Sequence, residues 1–199
     1  MSQRTSFRHL LCAAISALSL SACGTPPREQ FYTLNAAPLT SGKAGSPLLV
    51  VAQVSLPEML DRPQIVLRNG EHQIHLLELQ RWAEPLKSNF SAALAGQLQT
   101  QLPDWQLAMR EQHSSRDAKW ELWLDVQRFD LTPQQSTLLV ASWQLRQREG
   151  QLSQRGQSSI SEECKGCEIP ALIAAQQRAI GKLAQEIAHQ AKRLQATQP

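Results

Sequence analysis

Four cysteines carry most of the covalent chemistry open to this chain: Cys12, Cys23, Cys164 and Cys167. Cys164-Lys165-Gly166-Cys167 is a C-x-x-C pair, a spacing that can close a disulfide, run thiol–disulfide exchange or give two ligands to zinc. A structural zinc needs two more ligands at suitable spacing, and none is evident. A redox site of the thioredoxin kind sits between a strand and a helix, and Pro170 does open a predicted helix. No aromatic or proline decorates the pair as in that family, however, and the rest of the chain does not follow its pattern. In an oxidising compartment Cys164 and Cys167 are expected to form a structural disulfide, with redox exchange or metal binding as the alternatives.

Other constellations are weaker. His72 and His75 are three apart on a predicted strand, so they point to opposite faces and cannot share a metal. His113 falls in a polar loop and His189 on the polar side of the last predicted helix; both read as solvated, as does the acidic pair Glu162-Glu163. There is no G-x-S-x-G elbow and no glycine-rich phosphate loop. The expectation is a non-enzyme without metal or cofactor, its only prosthetic chemistry being a covalent lipid on Cys23.

That lipid is argued from the N-terminus. Arg4 and Arg8 make a basic start, Leu10 to Leu20 is an apolar run too short to span a bilayer, and Leu20-Ser21-Ala22-Cys23 follows. The last four residues resemble a lipobox, in which the cysteine thiol takes a diacylglycerol. Cys12 is the poorer candidate, because bulky Leu11 precedes it and almost no apolar run lies upstream. Residues 1–22 are therefore read as a lipoprotein signal peptide, and Cys23 as the lipidated N-terminus of the exported protein. Two or more acyl chains give stable membrane attachment. Gly24, rather than Asp, follows the cysteine, which by the bacterial sorting rule favours the outer membrane, facing the periplasm.

Composition then limits the body. Arg4 and Arg8 leave with the signal, so the formal charge falls from +3 to +1. A near-neutral body has no electrostatic footprint for nucleic acid. No later stretch is apolar enough to span a membrane, and the remaining chain is long enough for one domain with a core.

The elements that would position these residues can be read from periodicity. Phe31 to Leu34 is a short first strand. Leu48 to Leu56 is a continuous apolar run, as in a strand buried on both faces, and Pro57 ends it. Ile65 to Arg68, Asn69-Gly70 and His72 to Leu79 make a hairpin. Trp120 to Leu131 alternates, with Trp120, Leu122, Leu124 and Val126 on one face and Glu121, Asp125 and Gln127 on the other. Thr137 to Arg148 repeats the alternation, and Glu149-Gly150 turns it into a polar strand through Ser161. One helix starts at Glu84-Pro85 with Leu86, Phe90, Leu94, Leu98 and Leu102 in a stripe. A second runs from Pro170 to about Leu194 with Ile173, Ile180, Leu183, Ile187 and Leu194. The predicted class is α/β or α+β: a single layered domain with a mixed sheet, an antiparallel section and two main helices packed on it. Residues 23–47 are read as the lipidated cysteine, first strand and linker, and 48–199 as the domain, with 30–47 contributing its first strand.

Two segments carry a resemblance. Leu56-Pro57-Glu58-Met59-Leu60-Asp61-Arg62-Pro63-Gln64-Ile65-Val66 is followed, across the hairpin, by Arg81-Trp82-Ala83-Glu84-Pro85-Leu86. Behind a lipobox and a Phe31-Tyr32-Thr33-Leu34 start, this pair resembles the PqiC (YmbA-like) family of ABC-type transport auxiliary lipoproteins, over about Gln30 to Arg193. The resemblance implies a mixed-sheet α/β domain and a place in a trans-envelope lipid-transport system. There, MCE-domain proteins form the conduit and the lipoprotein serves the outer-membrane end. The implied partners are an MCE-domain protein, the outer membrane through the anchor, and further copies of the chain. Asp61, Arg62, Arg81 and Trp82 are candidates for the partner surface, because arginine and aromatic residues are enriched at interface centres. Each also has a structural alternative: Asp61-Arg62-Pro63 as a turn with a local ion pair, and Trp82 as core filling. The competing functions are a shuttle holding acyl chains in its own cavity and a thiol-redox lipoprotein acting through Cys164 and Cys167.

Overall fold

A computed structural model describes residues 27–40, 45–110, 118–133, 136–148, 153–164 and 168–197. The signal segment 1–22, Cys23, His113, the Glu149-Gly150 turn and Cys167 lie outside the described residues. The strands are β1 (Gln30–Tyr32), β2 (Leu48–Ser55), β3 (Gln64–Asn69), β4 (Gln73–Trp82), β5 (Gln106–Met109), β6 (Trp120–Thr132), β7 (Ser136–Gln147) and β8 (Ser153–Glu163). The helices are α1 (Leu86–Gln101) and α2 (Ile169–Ala196), and Glu58–Leu60 forms a 3₁₀ turn.

All eight strands belong to one mixed sheet with β6 as its spine. Antiparallel β7 takes one edge of β6 over its whole length, and β8 extends that side antiparallel again. The other edge is shared in succession: parallel β2 runs beside Trp120 to Asp125, and parallel β3 meets Leu131. Beyond β2 lies parallel β5; beyond β3 lie antiparallel β4 and then β1, parallel to β4. The sheet is thus forked. The β6–β7–β8 meander supplies the expected antiparallel section, and the class is α+β in a single domain.

Both helices pack on one another, α2 also against β6, β7 and β8 and α1 against β2 and β5. The α1 stripe buries Leu86, Phe90, Leu94 and Leu98, with Phe90 meeting Phe129 edge to face at 5.2 Å. The α2 face holds Ile173, Ile180, Leu183 and Ile187 as expected, and adds Leu172 and buried alanines at 175, 179, 184, 188 and 191. Those small residues let the helix lie close to its neighbours; Leu194 is only half-buried.

Four details depart from the periodic pattern. The β6 register slips between Val126 and Arg128, so the inward face passes from Val126 to Phe129 and the simple alternation ends at Gln127. Glu121, on the face opposite Trp120 and Leu122, is buried, with Arg146 at 2.9 Å. His72 is not on the strand: Asn69 pairs with Gln73, leaving Gly70, Glu71 and His72 in the turn, with Gly70 at φ 76°. His75 is exposed on β4, and His189 is exposed on α2. β5 has no counterpart in the periodic reading.

Candidate functional site

The two motifs, far apart in sequence, fold to one place. The β3–β4 hairpin carries the chain out and back, so that Gln64 pairs with Arg81 and the Trp82 amide donates to Pro63 O at 2.7 Å. Asp61, Arg62, Pro63, Trp82, Ala83, Glu84 and Pro85 then line one cleft of about 330 Å³ beside the start of α1. Pro85 fixes φ at the mouth of the helix.

The four candidate surface residues differ in their places. Asp61 is exposed at the end of the 3₁₀ turn, its amide donating to Glu58 O at 3.0 Å. Arg62 is half-buried in the cleft, and its Nε has no hydrogen-bond partner among the described residues. Arg81 points elsewhere, its Nη1 3.1 Å from Glu29 Oε1. Trp82 is 6 % exposed and belongs to the core while also bordering the cleft.

Behind the cleft lies an arrangement that motif reasoning missed. Glu84 Oε1 accepts from Asn89 Nδ2 at 2.8 Å; the same Nδ2 reaches Thr33 Oγ1 (3.0 Å) and Leu34 O (3.2 Å). Asn89 Oδ1 accepts the Leu34 amide at 2.6 Å. The Ala83 amide donates to Tyr32 O at 2.8 Å, beside the β1–β4 pairing. Further along, Asn35 exchanges two 2.9 Å hydrogen bonds with Gln177 of α2, and the Thr40 amide donates to Gln99 Oε1 at 3.4 Å. Between them Ala37 crosses α1 at Gly96, where a Cβ would stand 2.6 Å from Ala37 N. Residues 30–40 therefore form a strap sewn across both helices. These residues are thus integral to the body, and the R-W-A-E-P motif is one of their fasteners. One signal was available in the sequence: Asn89 and Gln99 are amides set within or beside the apolar stripe of α1.

At the far edge of the sheet, Glu162 corrects another expectation. It is buried rather than solvated, 3.0 Å from Arg178 Nε and 2.5 Å from Lys182 Nζ, because α2 lays its cations over β8. The hydrogen bond from Lys182 holds its carboxyl below the ordinary glutamate value; burial opposes this and Arg178 reinforces it. Just beyond, Cys164 is half-buried against the core and disulfide-bonded, to a cysteine outside the described residues. Among the described residues no group of three or more His, Cys, Asp or Glu could hold a metal, and no helix is long and apolar enough to cross a membrane.

The chain resembles known proteins over most of this fold. An uncharacterized protein solved by crystallography superimposes with a TM-score of 0.72 at 19 % identity, covering 83 % of this chain and 99 % of the other. A Xanthomonas campestris protein does so with a TM-score of 0.63 at 15 % identity, over 84 % of this chain and 97 % of that one. At those identities the likeness is one of fold. In sequence, the intermembrane transport lipoprotein PqiC of Escherichia coli is 27 % identical over 145 residues, 71 % of this chain and 75 % of the relative; PqiC of Shigella flexneri matches equally. The model of the family described as ABC-type transport auxiliary lipoprotein component matches residues 32–188, from the strap through most of α2. The chain belongs to that family of transport auxiliary lipoproteins.

Proposed function

We propose that the chain is a lipoprotein of the outer membrane, anchored through Cys23 on the periplasmic side, that docks an MCE-domain protein in a trans-envelope lipid-transport system. The observation that carries this is the family match, which spans the strap and both motifs. The name of the Escherichia coli relative, an intermembrane transport lipoprotein, agrees with it. The strap limits the tether between Cys23 and the body to residues 24–29, which keeps the body near its anchor. Docking also needs a contact surface; the cleft that the half-buried Arg62 lines with Asp61, Pro63 and Trp82 offers one. Several copies of the chain assembling around the partner belong to the same proposal.

The shuttle alternative is disfavoured by packing. The space between sheet and helices is filled by Trp120, Phe90, Phe129 and the leucines around them, so an acyl chain seated there would have to displace core side chains. The cleft of about 640 Å³ along β6 and β7 is lined mostly by polar residues, among them Gln53, Ser55, Asp125, Gln144 and Arg155. No observation favours the redox alternative over a structural disulfide.

The test is association with a co-expressed MCE-domain protein in detergent-solubilised envelopes, run beside thermal melts. Wild type should retain the partner. Arg62→Ala should weaken retention about thirtyfold, the effect of a ~2 kcal/mol hot spot, without changing the melt. Trp82→Ala should instead lose ~3–5 kcal/mol of stability as a truncated core aromatic. A wild-type chain, acylated and folded, that retains no MCE-domain protein would overturn the proposal.

A further inference from the structure

Three large hydrophobic side chains stand exposed among the described residues: Phe31 at 60 %, Leu79 at 40 % and Ile74 at 39 %. Single exposed apolar residues are ordinary in soluble proteins, but these three all lie on β1 and β4, at one edge of the sheet. Phe31 is the register partner of Arg81, and Leu79 lies two residues before Arg81, in the stretch 78–80 of β4 where the β3–β4 register shifts. Beside them Arg28 is exposed and makes no ion pair among the described residues.

The same edge receives the tether. Residues 24–30 are all that separate Cys23 from Phe31, a reach of about 25 Å even when fully extended. Because β1 is paired to β4 and the strap is fastened by Asn89, the slack cannot grow by peeling the strap away. An acylated Cys23 therefore keeps this edge within about 25 Å of the bilayer, a tighter limit than it sets on the β7–β8 edge. An apolar ring with a neighbouring free guanidinium suits the headgroup region, where the ring leaves water and the cation meets phosphate.

We infer that the β1–β4 edge is a membrane-contact surface: Phe31 and Leu79 insert shallowly into the phospholipid leaflet that holds the anchor, with Arg28 on its phosphates. The body then lies with this edge down and the β7–β8 edge away from the membrane. This rests on the proposed acylation of Cys23.

The experiment uses the full-length acylated protein in vesicles of phosphatidylethanolamine and phosphatidylglycerol. Photoreactive p-benzoylphenylalanine replaces Phe31, Leu79 or, at exposed sites away from this edge, Gln157 or His189. Intact mass first reports the acyl chains. The expected result is phospholipid adducts at positions 31 and 79, several-fold above those at 157 and 189. Acylated protein with equal lipid labelling at all four positions would overturn the inference alone, as would adducts at position 31 with a second copy of the chain. A mass without acyl chains would overturn the anchor and this inference with it.

Discussion

The amide of Leu34 donates to Asn89 Oδ1 at 2.6 Å, joining the segment behind the tether to the first turns of α1. Leu34 is itself buried at 2 % exposure, so the bond forms away from water. Removing its acceptor leaves a buried amide unsatisfied, at a cost of about 1–3 kcal/mol. Asn89→Ala should lower stability by that amount and speed amide exchange across residues 31–37, most of all at Leu34. A melt and an exchange pattern both equal to wild type would show that the strap is held by other contacts.

The strap also marks the limit of what could be read from sequence. The α1 stripe was legible because Leu86, Phe90, Leu94 and Leu98 recur at helical spacing, and the meander because β7 alternates without interruption. β5 was not, since Gln-Leu-Ala-Met carries no β-branched residue and becomes a strand only when the β2 edge offers it a ladder. Glu162 reads as solvated because its cations, Arg178 and Lys182, arrive from α2, and the burial of Glu121 depends likewise on Arg146 of β7. The two motifs could be recognised as segments, but their cleft exists only once β3 and β4 pair. Gly96 gave no signal at all, because its reason is a backbone crossing contributed by a residue 59 positions earlier.

Glu162 makes stability depend on pH in a definite direction. Its carboxyl is held below the ordinary glutamate value near 4.5, so the charged form is favoured by folding. The contribution is present in full above that value and is lost as pH falls through the lowered one. Arg178 and Lys182 are half-exposed, which limits the effect to about 1 kcal/mol. Glu162→Gln should therefore melt below wild type at neutral pH, with the gap closing on acidification. A gap that stays constant or widens would assign the stability to packing instead of charge.

Cys164 is half-buried, and its disulfide is expected to run to Cys167, the nearest cysteine in sequence. A loop this small removes little unfolded-state entropy, so the bond should contribute less than the ~3 kcal/mol of a 15-residue loop. Intact mass should rise by two hydrogens on reduction, peptide mapping should link Cys164 to Cys167, and the melt should shift only slightly. Two thiols that alkylate freely without reductant would exclude the bond. Loss of the fold on reduction would give it a larger structural role.

Gly96→Ala sets two effects of opposite sign against each other. In a helix interior alanine is favoured over glycine by about 1 kcal/mol, so propensity alone predicts a more stable protein. The new methyl, however, would stand 2.6 Å from Ala37 N and 2.7 Å from Ala37 O. Those are backbone atoms of a segment held on both sides, by Gln177 at Asn35 and by Gln99 at Thr40, and they cannot rotate aside. The strap has to lift, while α1 keeps its stripe in the core. The expected outcome is a melting temperature near that of wild type, where gain and loss offset, with markedly faster amide exchange across residues 35–40. In the Asn89→Ala background the strap is already loosened, so the same substitution should cost less there than in wild type, a coupling that a double-mutant cycle reads directly. A Gly96→Ala protein that is more stable than wild type and keeps full protection at residues 35–40 would mean that the strap does not need this glycine.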